Sequence, residues 1–379
     1  MRERLADWLE THWVTPAYAG WLLGAVAVCF FAAATNTMAG WLYVLSGIIV
    51  ALLVLAAILP ARSLRGIAIR RQAIAPVSAG DLLTITLEVE NQSSKPKSLL
   101  LVQDILPYVL ATPVKTPLEF LPPHSTHDWT YYQAAEKRGI YRWQEVQLRT
   151  AAPLGLFWCS RSWEAPATAI VYPTVLPLTS CPLVDHIGRD DSAQFFSDRL
   201  SQSATEDLTR SLRPYRVGDP TRLIHWRTSA RFGQLQVREL EVFTGSQEFV
   251  ICLDSAGWEL DNFEQAVIAA ASLYFYACRC QLNVKLWTAS SGLLHGNSVI
   301  LEALAAIHAQ EDSRHESPSL PLIWLTQNPT SLNSLTAGSR WLLWQSLSMD
   351  SGKPPNRNHP GITIDTEEPL QSQLQRPLT

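Results

Sequence analysis

The first apolar pattern along this chain consists of two long uninterrupted runs. Ala17 to Ala34 is a run of 18 residues and Trp41 to Leu59 is a run of 19. Each approaches the roughly 20 residues that an α-helix needs to cross the hydrocarbon core of a bilayer. The connection between them, residues 35–40, carries no charge. Residues 1–64 are therefore predicted to form a helical hairpin that spans a membrane twice.

Arginines flank both runs on the same side of this predicted hairpin. Two precede the first run and four follow the second: Arg2, Arg4, Arg62, Arg65, Arg70 and Arg71. Basic residues next to short spans are retained in the cytoplasm. We therefore expect an integral membrane protein whose termini and globular domains are all cytoplasmic.

Short alternating segments replace the apolar runs between residues 65 and 175. Residues 83–90, for example, read LTITLEVE and are followed by the turn-forming sequence NQSS. Alternation places successive side chains on opposite faces of a strand. Because such segments recur about every ten residues, this region is predicted to be an all-β sandwich. We interpret it as a spacer that holds the next domain away from the bilayer, in preference to a binding surface.

Between residues 248 and 347, strand patterns alternate with helical periodicity. An apolar run at 249–253 is followed by helical spacing of apolar residues at 263–277. The later segments are strands at 282–286, 320–326 and 340–345 and a helix at 299–308. This order predicts an α/β domain with parallel central strands covered on both faces. Residues 348–379 contain five prolines and few apolar residues, which predicts a disordered tail.

Residues 176–247 are predicted to be a polar linker that leads into an arginine-rich helix and strand. Six arginines and no lysine lie within the 29 residues 213–241, although the whole chain has a net charge of −4. The planar guanidinium suits fixed, bidentate pairing with carboxylate or phosphate, which indicates an ordered segment.

Local signals place the elements of this segment. Asp219 is the predicted helix N-cap, before a proline at the first helical position, and the helix is expected to run to about Arg231. Gly233 supplies its stop, and residues 234–238 then alternate as a strand. The alternation slips at Leu240, which predicts a bulge or an inward-facing Glu239.

The sequence TEDLTRSLRPYRVGDPTRLIHWRTSAR, followed by VRELE, resembles the signature of the bacterial family known as domain of unknown function 58. Shorter segments resemble other landmarks of that family: RGIYRW at 138–143, APLGLF at 152–157 and VYP at 171–173. The resemblance covers roughly residues 65–345. It implies two N-terminal membrane helices, a von Willebrand factor A-like fold for residues 248–347, and association with MoxR-type AAA ATPases.

The signature supplies the candidate partner-binding residues. They are Arg213, Tyr215, Arg216, Gly218, Asp219, Arg222, His225, Trp226, Arg227, Ser229, Arg231 and Glu239. The arginines have two main interpretations: an internal ion-pair network with nearby glutamates, or a surface for an acidic or phosphorylated partner. We expect Arg227 and Arg231 to be structural, because their helix should pack through Leu223, Ile224 and Trp226. Arg213 and Arg216 are expected nearer the surface.

Nucleic-acid binding is a weaker hypothesis. Residues 199–240 carry eight arginines against four carboxylates, a local balance of only +4, and no recognition motif accompanies them. A hydrolase built on Asp219, His225 and Asp254 is a further alternative, with Ser229 as the hydroxyl. No nucleophile elbow, phosphate-binding loop or dinucleotide fingerprint supports it.

A metal-dependent adhesion module is the remaining alternative. Asp254 ends an apolar strand where ligands bind in open α/β sheets. In metal-binding von Willebrand A domains, to which the resemblance points, that strand ends in Asp-x-Ser-x-Ser; here Ala256 and Trp258 replace the two serines. Asp254 is therefore a weak metal candidate that more readily caps the following turn.

Composition adds two constraints. Apolar residues make up 47% of the chain and charged residues 17%, an excess that the membrane segments explain. The six cysteines have no CxxC or Cys/His ligand spacing, so we expect them to be reduced, and we expect no cofactor. The preferred interpretation is a membrane-anchored, non-enzymatic scaffold or adaptor that works with a MoxR-type AAA ATPase.

Overall fold

The chain forms two compact units, Met1–Pro173 and Thr174–Thr379. The computed structural model describes residues 14–187, 209–215, 224–240, 248–254, 258–311, 315, 318, 320–336, 338–345 and 359–378.

The first unit begins with two helices, α1 (Tyr18–Thr37) and α2 (Gly40–Ser63). Both are long and apolar enough to cross a membrane, which agrees with the two predicted runs. Met38 ends α1 in the left-handed region, with φ 52°, and lets the chain reverse within two residues. Large apolar side chains point outward along both helices; the side chain of Trp21 is 70% exposed. Such a surface suits lipid better than water.

Two β-sheets follow the hairpin. The strands are β1 (Thr15–Pro16), β2 (Ile67–Arg71), β3 (Val77–Ser78), β4 (Leu82–Asn91), β5 (Lys97–Asp104), β6 (Val114–Leu121), β7 (Thr126–Ala134), β8 (Gly139–Thr150) and β9 (Phe157–Tyr172). One sheet has the order β1-β9-β8-β5-β6, with β3 also on β9, and the other has the order β2-β4-β7. Alternate residues of both sheets, such as Leu83, Ile85 and Leu148, bury their side chains in one shared core. Its layers are those of a sandwich.

A buried ion pair joins these two sheets. Arg71 of β2 donates two hydrogen bonds to Asp104 of β5, at 2.5 and 2.9 Å. The Tyr131 hydroxyl of β7 donates to Asp104 Oδ2 at 2.6 Å, and the Trp143 indole of β8 donates to Oδ1 at 3.1 Å. Burial and the charge of Asp104 raise the pKa of Tyr131, so its hydroxyl stays protonated and donates. Four donors thus neutralise one buried carboxylate.

The second unit is built on a mostly parallel sheet. Its strands are β10 (Thr209–Pro214), β11 (Gln236–Leu240), β12 (Glu248–Leu253), β13 (Asn283–Thr288), β14 (Gly292–Leu294), β15 (Leu322–Thr326), β16 (Arg340–Trp344) and β17 (Gly361–Ile364). Its helices are α3 (Pro182–Asp185), α4 (Trp226–Phe232), α5 (Leu260–Arg279), α6 (Asn297–Ala306), α7 (Leu370–Leu374) and a 3₁₀ helix at Pro329–Ser334.

The large sheet has the order β14-β13-β12-β15-β16-β17. All its pairs are parallel except β13 with β14, which confirms the predicted parallel central strands. Helix α5 packs on one face against Phe249, Ile251 and Leu253 of β12. On the other face, Cys252 is flanked by Trp287 of β13 and Trp324 of β15, whose rings stack 5.8 Å apart. Both faces of β12 are therefore buried.

One expectation for the second unit needs correction. Residues 359–378 lie in the predicted disordered tail, yet they form β17 and α7, and Ile364 and Leu374 are fully buried. The few apolar residues of this segment suffice because they extend an existing sheet and core. Residues 174–187 belong to the connection predicted to be a loop or short helix, and they contain the short helix α3. They also pack on α5: the Leu176 N–H donates to Ser272 Oγ at 2.9 Å and the Tyr276 hydroxyl donates to Asp185 at 2.8 Å.

Candidate functional site

The candidate site is the small helix-and-strand unit formed by the arginine-rich stretch. Strands β10 and β11 pair antiparallel, with Arg213 opposite Val237 and Ser211 opposite Glu239. The register shifts between Thr209 and Ser211, so the predicted irregularity near Glu239 lies on the partner strand. Tyr215 N–H donates to the Leu235 carbonyl at 2.8 Å and closes the unit.

Helix α4 is shorter than predicted. It begins at Trp226 with His225 as its N-cap, so the expectation that Asp219 caps this helix is wrong. His225 Nδ1 accepts from the Thr228 N–H at 3.2 Å and lies 2.7 Å from the Thr228 hydroxyl oxygen. An imidazole nitrogen here replaces the usual capping oxygen. Gly233, with φ 68°, ends the helix as predicted, in the left-handed conformation that glycine adopts without strain.

Ser229 fastens this helix to the following strand. Its hydroxyl donates to the His225 carbonyl at 3.0 Å and accepts from the Gln236 N–H at 2.8 Å. The His225 N–H donates to the Gln236 carbonyl at 2.8 Å. The Ser229 hydroxyl is therefore engaged with backbone groups, and the imidazole of His225 with Thr228. This geometry is that of a helix–strand joint and differs from a nucleophile paired with its base.

The outer face of α4 is the exposed part of the unit. Ile224 is buried and forms a bridge with Val237, so the packing predicted for Ile224 is confirmed. The packing predicted for Trp226 is wrong, because its side chain is 66% exposed. Arg227 and Arg231 are also exposed, contrary to the structural role expected for them. The short helix turns Ser229 inward and leaves these three side chains outside.

No described carboxylate lies within ion-pair distance of Arg227 or Arg231. Arg227 and Arg231 are four residues apart and share one face of α4. Trp226 is exposed next to Arg227 in the first turn of the helix. We call Trp226, Arg227 and Arg231 the α4 face. Of the other candidates, Arg213 and Glu239 are placed by their backbone alone. Arg216, Gly218, Asp219 and Arg222 lie outside the described residues.

The carboxyl edge of the large sheet holds the weak metal candidate. Thr326 Oγ1 donates to Asp254 Oδ2 at 3.1 Å and accepts from the Asn328 N–H at 3.0 Å. The Trp258 indole donates to the Asp254 carbonyl, and its ring packs edge-on against Phe263 and Trp344 in the core. The residue that replaces the second serine thus fills the core. The described residues contain no cluster of three or more His, Cys, Asp or Glu arranged for a metal.

The second unit also contains a cavity that the sequence did not predict. It has a volume of about 300 Å³ and is lined by Pro182, His186, Arg340, Pro360, Pro377 and Leu378. The buried guanidinium of Arg340 donates to the His186 carbonyl at 2.8 Å. Three of its residues come from the segment expected to be disordered, which is why pattern analysis could not find it.

The chain therefore combines two apolar helices long enough to cross a membrane, a β-sheet domain, and a parallel-sheet unit with an arginine-rich joint. Residues 211–293 match the family model described as Protein of unknown function DUF58. The uncharacterized protein YeaD of Bacillus subtilis (strain 168) is 26% identical over 224 residues. That match covers 58% of this chain and 54% of the relative, so it spans about half the length of that protein. Both matches support the DUF58 family indicated by the signature.

Solved structures add little to this assignment. Two structures of β-glucosidase from Listeria innocua, in complex with gluconolactone and with glucose, align at TM-scores of 0.16 and 0.17. Each is 12% identical, and each alignment covers 28% of this chain and 16% of the other. Overlaps of this quality carry no argument about fold or activity.

Proposed function

We propose that this chain is a membrane-anchored, non-enzymatic adaptor that binds a protein partner through the α4 face. The exposure of Trp226 beside Arg227 and Arg231 is the observation that carries the proposal. Tryptophan and arginine are the residue types most enriched at the energetic centres of protein interfaces. An exposed indole with two guanidinium groups suits a partner surface that offers an apolar pocket and carboxylates.

The support of α4 fits this role. Ser229 and His225 hold the helix rigidly on β11 through backbone hydrogen bonds. A rigid support lowers the entropy lost when the outer side chains bind. These bonds occupy the Ser229 hydroxyl, and Thr228 occupies the His225 imidazole. Both groups that a hydrolase would need are thus engaged, which favours an adaptor over an enzyme.

The proposed partner is a MoxR-type AAA ATPase, the association that the family resemblance implies. The second unit is proposed to have a von Willebrand factor A-like fold, supported by its parallel strands β13-β12-β15-β16 and by α5 packed on β12. Both termini and both units are proposed to be cytoplasmic, because Arg62 lies in the last turn of α2 and Arg65 comes just after the helix.

The test uses the full chain in nanodiscs and a purified MoxR-type ATPase from the organism that carries it. Trp226→Ala and the double change Arg227→Ala with Arg231→Ala should each abolish ATP-dependent binding and leave thermal melting unchanged. Leu260→Ala and Arg376→Ala are matched controls, since both side chains are exposed on the same unit away from α4. The controls should bind as the parent does.

Two results would count against the proposal. If the melting temperature of the double arginine variant falls by several degrees, these side chains stabilise the fold through internal contacts and not through a partner. Undiminished binding by the Trp226 variant, with normal melting, would place the partner surface elsewhere.

A further inference from the structure

The turn between β8 and β9 is fastened to the base of the first membrane helix. The Leu156 carbonyl accepts from the Ala17 N–H at 2.8 Å. A methyl group added at Gly20, in the first turn of α1, would collide with the same carbonyl oxygen. Thr15 and Pro16 pair with Trp158 and Phe157 as strand β1. The turn therefore lies beside the first turn of α1.

The base of the second helix is fastened to the same end of the β-sandwich. Lys97 Nζ donates to the Arg65 carbonyl at 2.9 Å, just after α2. Lys97 is the first residue of β5. Leu100 of the same strand pairs with Thr150, the last residue of β8 before the turn at 151–156. One end of the larger sheet thus meets both helices. We call residues 62–68, 90–100, 118–127 and 149–161 the hairpin-proximal end.

The length of α1 sets the level of this end relative to a bilayer. Helix α1 has 20 residues, and at about 1.5 Å per residue it spans the ~30 Å hydrocarbon core with little to spare. Its first turn must then lie at the boundary between hydrocarbon and headgroups. Because Leu156 contacts that turn, the 151–156 segment lies at the same level.

The side chains at the hairpin-proximal end suit a headgroup layer. Large apolar residues are exposed there, namely Leu99, Phe120 and Leu154. Five cations outnumber two carboxylates in these ranges, apart from the buried Lys97: Arg62, Arg65, Lys95, Arg149 and Arg161 against Glu90 and Glu119. The Arg149 guanidinium lies 4.3 Å from the centre of the Trp158 ring. Aromatic rings with basic residues are typical of membrane interfaces.

We propose that the hairpin-proximal end of the β-sandwich lies on the bilayer surface and contacts anionic phospholipid headgroups. Leu99, Phe120 and Leu154 enter the interface, while the basic residues pair with lipid phosphates. The first unit then sits directly on the membrane, in contrast to the spacer predicted from its strands. This inference rests on the hairpin being in the bilayer and is independent of the α4 face.

Spin-label accessibility on the full chain in nanodiscs tests this contact. Cys29, Cys278 and Cys280, which are not fully buried, are first replaced by alanine. A nitroxide is then placed by Leu154→Cys at the proposed contact. Two other single labels serve as references: Ile48→Cys in the middle of α2, and Tyr108→Cys, exposed beyond the opposite end of β5. Collision rates with oxygen, which concentrates in lipid, and with a water-soluble nickel chelate report the depth of each label.

In discs that contain phosphatidylglycerol, the label at 154 should show more oxygen and fewer chelate collisions than the label at 108. The shift at 154 should shrink in discs of phosphatidylcholine alone. If the labels at 154 and 108 show equal collision rates while the label at 48 reports lipid, the proposed surface contact is overturned. A shift at 154 that is the same in both lipids would overturn the assignment to anionic headgroups. If the label at 48 collides mainly with the water-soluble chelate, α2 does not lie in the bilayer. The membrane hairpin and this inference would then both be wrong.

Discussion

Asp104→Ala should destabilise the β-sandwich by roughly 3–5 kcal/mol, because it leaves the Arg71 charge buried without its partner. The two side chains are 2% and 0% exposed, so water cannot replace the lost carboxylate. At about 2–4 °C per kcal/mol for a unit of this size, melting of the first unit should fall by roughly 6–20 °C. The cost is large because one carboxylate serves donors from both sheets.

The network also predicts how a compensating change will behave. Replacing both members of a buried ion pair by apolar residues is often nearly neutral. Here Arg71→Met with Asp104→Leu should remain destabilised, because the Tyr131 hydroxyl and the Trp143 indole would lose their acceptor. Each unsatisfied donor costs about 1–3 kcal/mol. The double variant should therefore melt between the parent and Asp104→Ala.

Thermal unfolding of the full chain in detergent, followed by near-ultraviolet circular dichroism, measures these differences. Glu145→Ala is the matched control, since its exposed carboxylate accepts a hydrogen bond from the exposed Ser162 hydroxyl at 2.6 Å. A surface change of this kind should alter stability by no more than about 0.5 kcal/mol. Melting of Asp104→Ala within a degree or two of Glu145→Ala would refute the proposed role of the network.

Two further predictions concern the helix base and the buried thiols. Gly20→Ala should separate the β-sandwich from the base of α1 and increase proteolysis near Leu156, whereas Gly47→Ala, where an added methyl group meets nothing within 4 Å, should not. Equal cleavage in both variants would contradict this joint. Burial raises the pKa of Cys181 to about 12 and that of Cys252 well above its usual value. Unfolded thiols ionise first, so the contribution of these two thiols to the stability of the second unit should be full below about pH 8 and should fall as the pH rises above that. Cys181→Ala should reduce that fall, and an unchanged slope by urea titration would argue against it.

The elements with strong periodicity were predictable. The two apolar runs gave helices α1 and α2, and alternation gave the sheets of the first unit. The parallel strands of the second unit followed from bare apolar runs such as 249–253. The spacing of apolar residues in such elements shows whether one face or every face is buried, so it can be read from the sequence directly.

Segments whose order depends on distant contacts were not predictable. Residues 359–378 look disordered because they contain many prolines and little periodicity, but β17 finds its partner in β16. The N-cap of α4 was misplaced because a histidine, unlike aspartate, is rarely a capping residue. Exposure of Trp226 was missed for a related reason: seven helical residues present too little periodicity to tell the inner face from the outer.

The landmark segments of the first unit have structural explanations. Trp143, at the end of RGIYRW, donates to Asp104 and joins the network between sheets. The Leu156 carbonyl, within APLGLF, accepts from the Ala17 N–H and holds the sandwich against the base of α1. In the arginine-rich signature, His225 and Ser229 likewise support the fold. The α4 face differs, because packing among the described residues does not explain an exposed tryptophan beside two exposed arginines. A fold gains little from holding these three side chains outward, which is why the binding experiment that tests the proposed adaptor role belongs there.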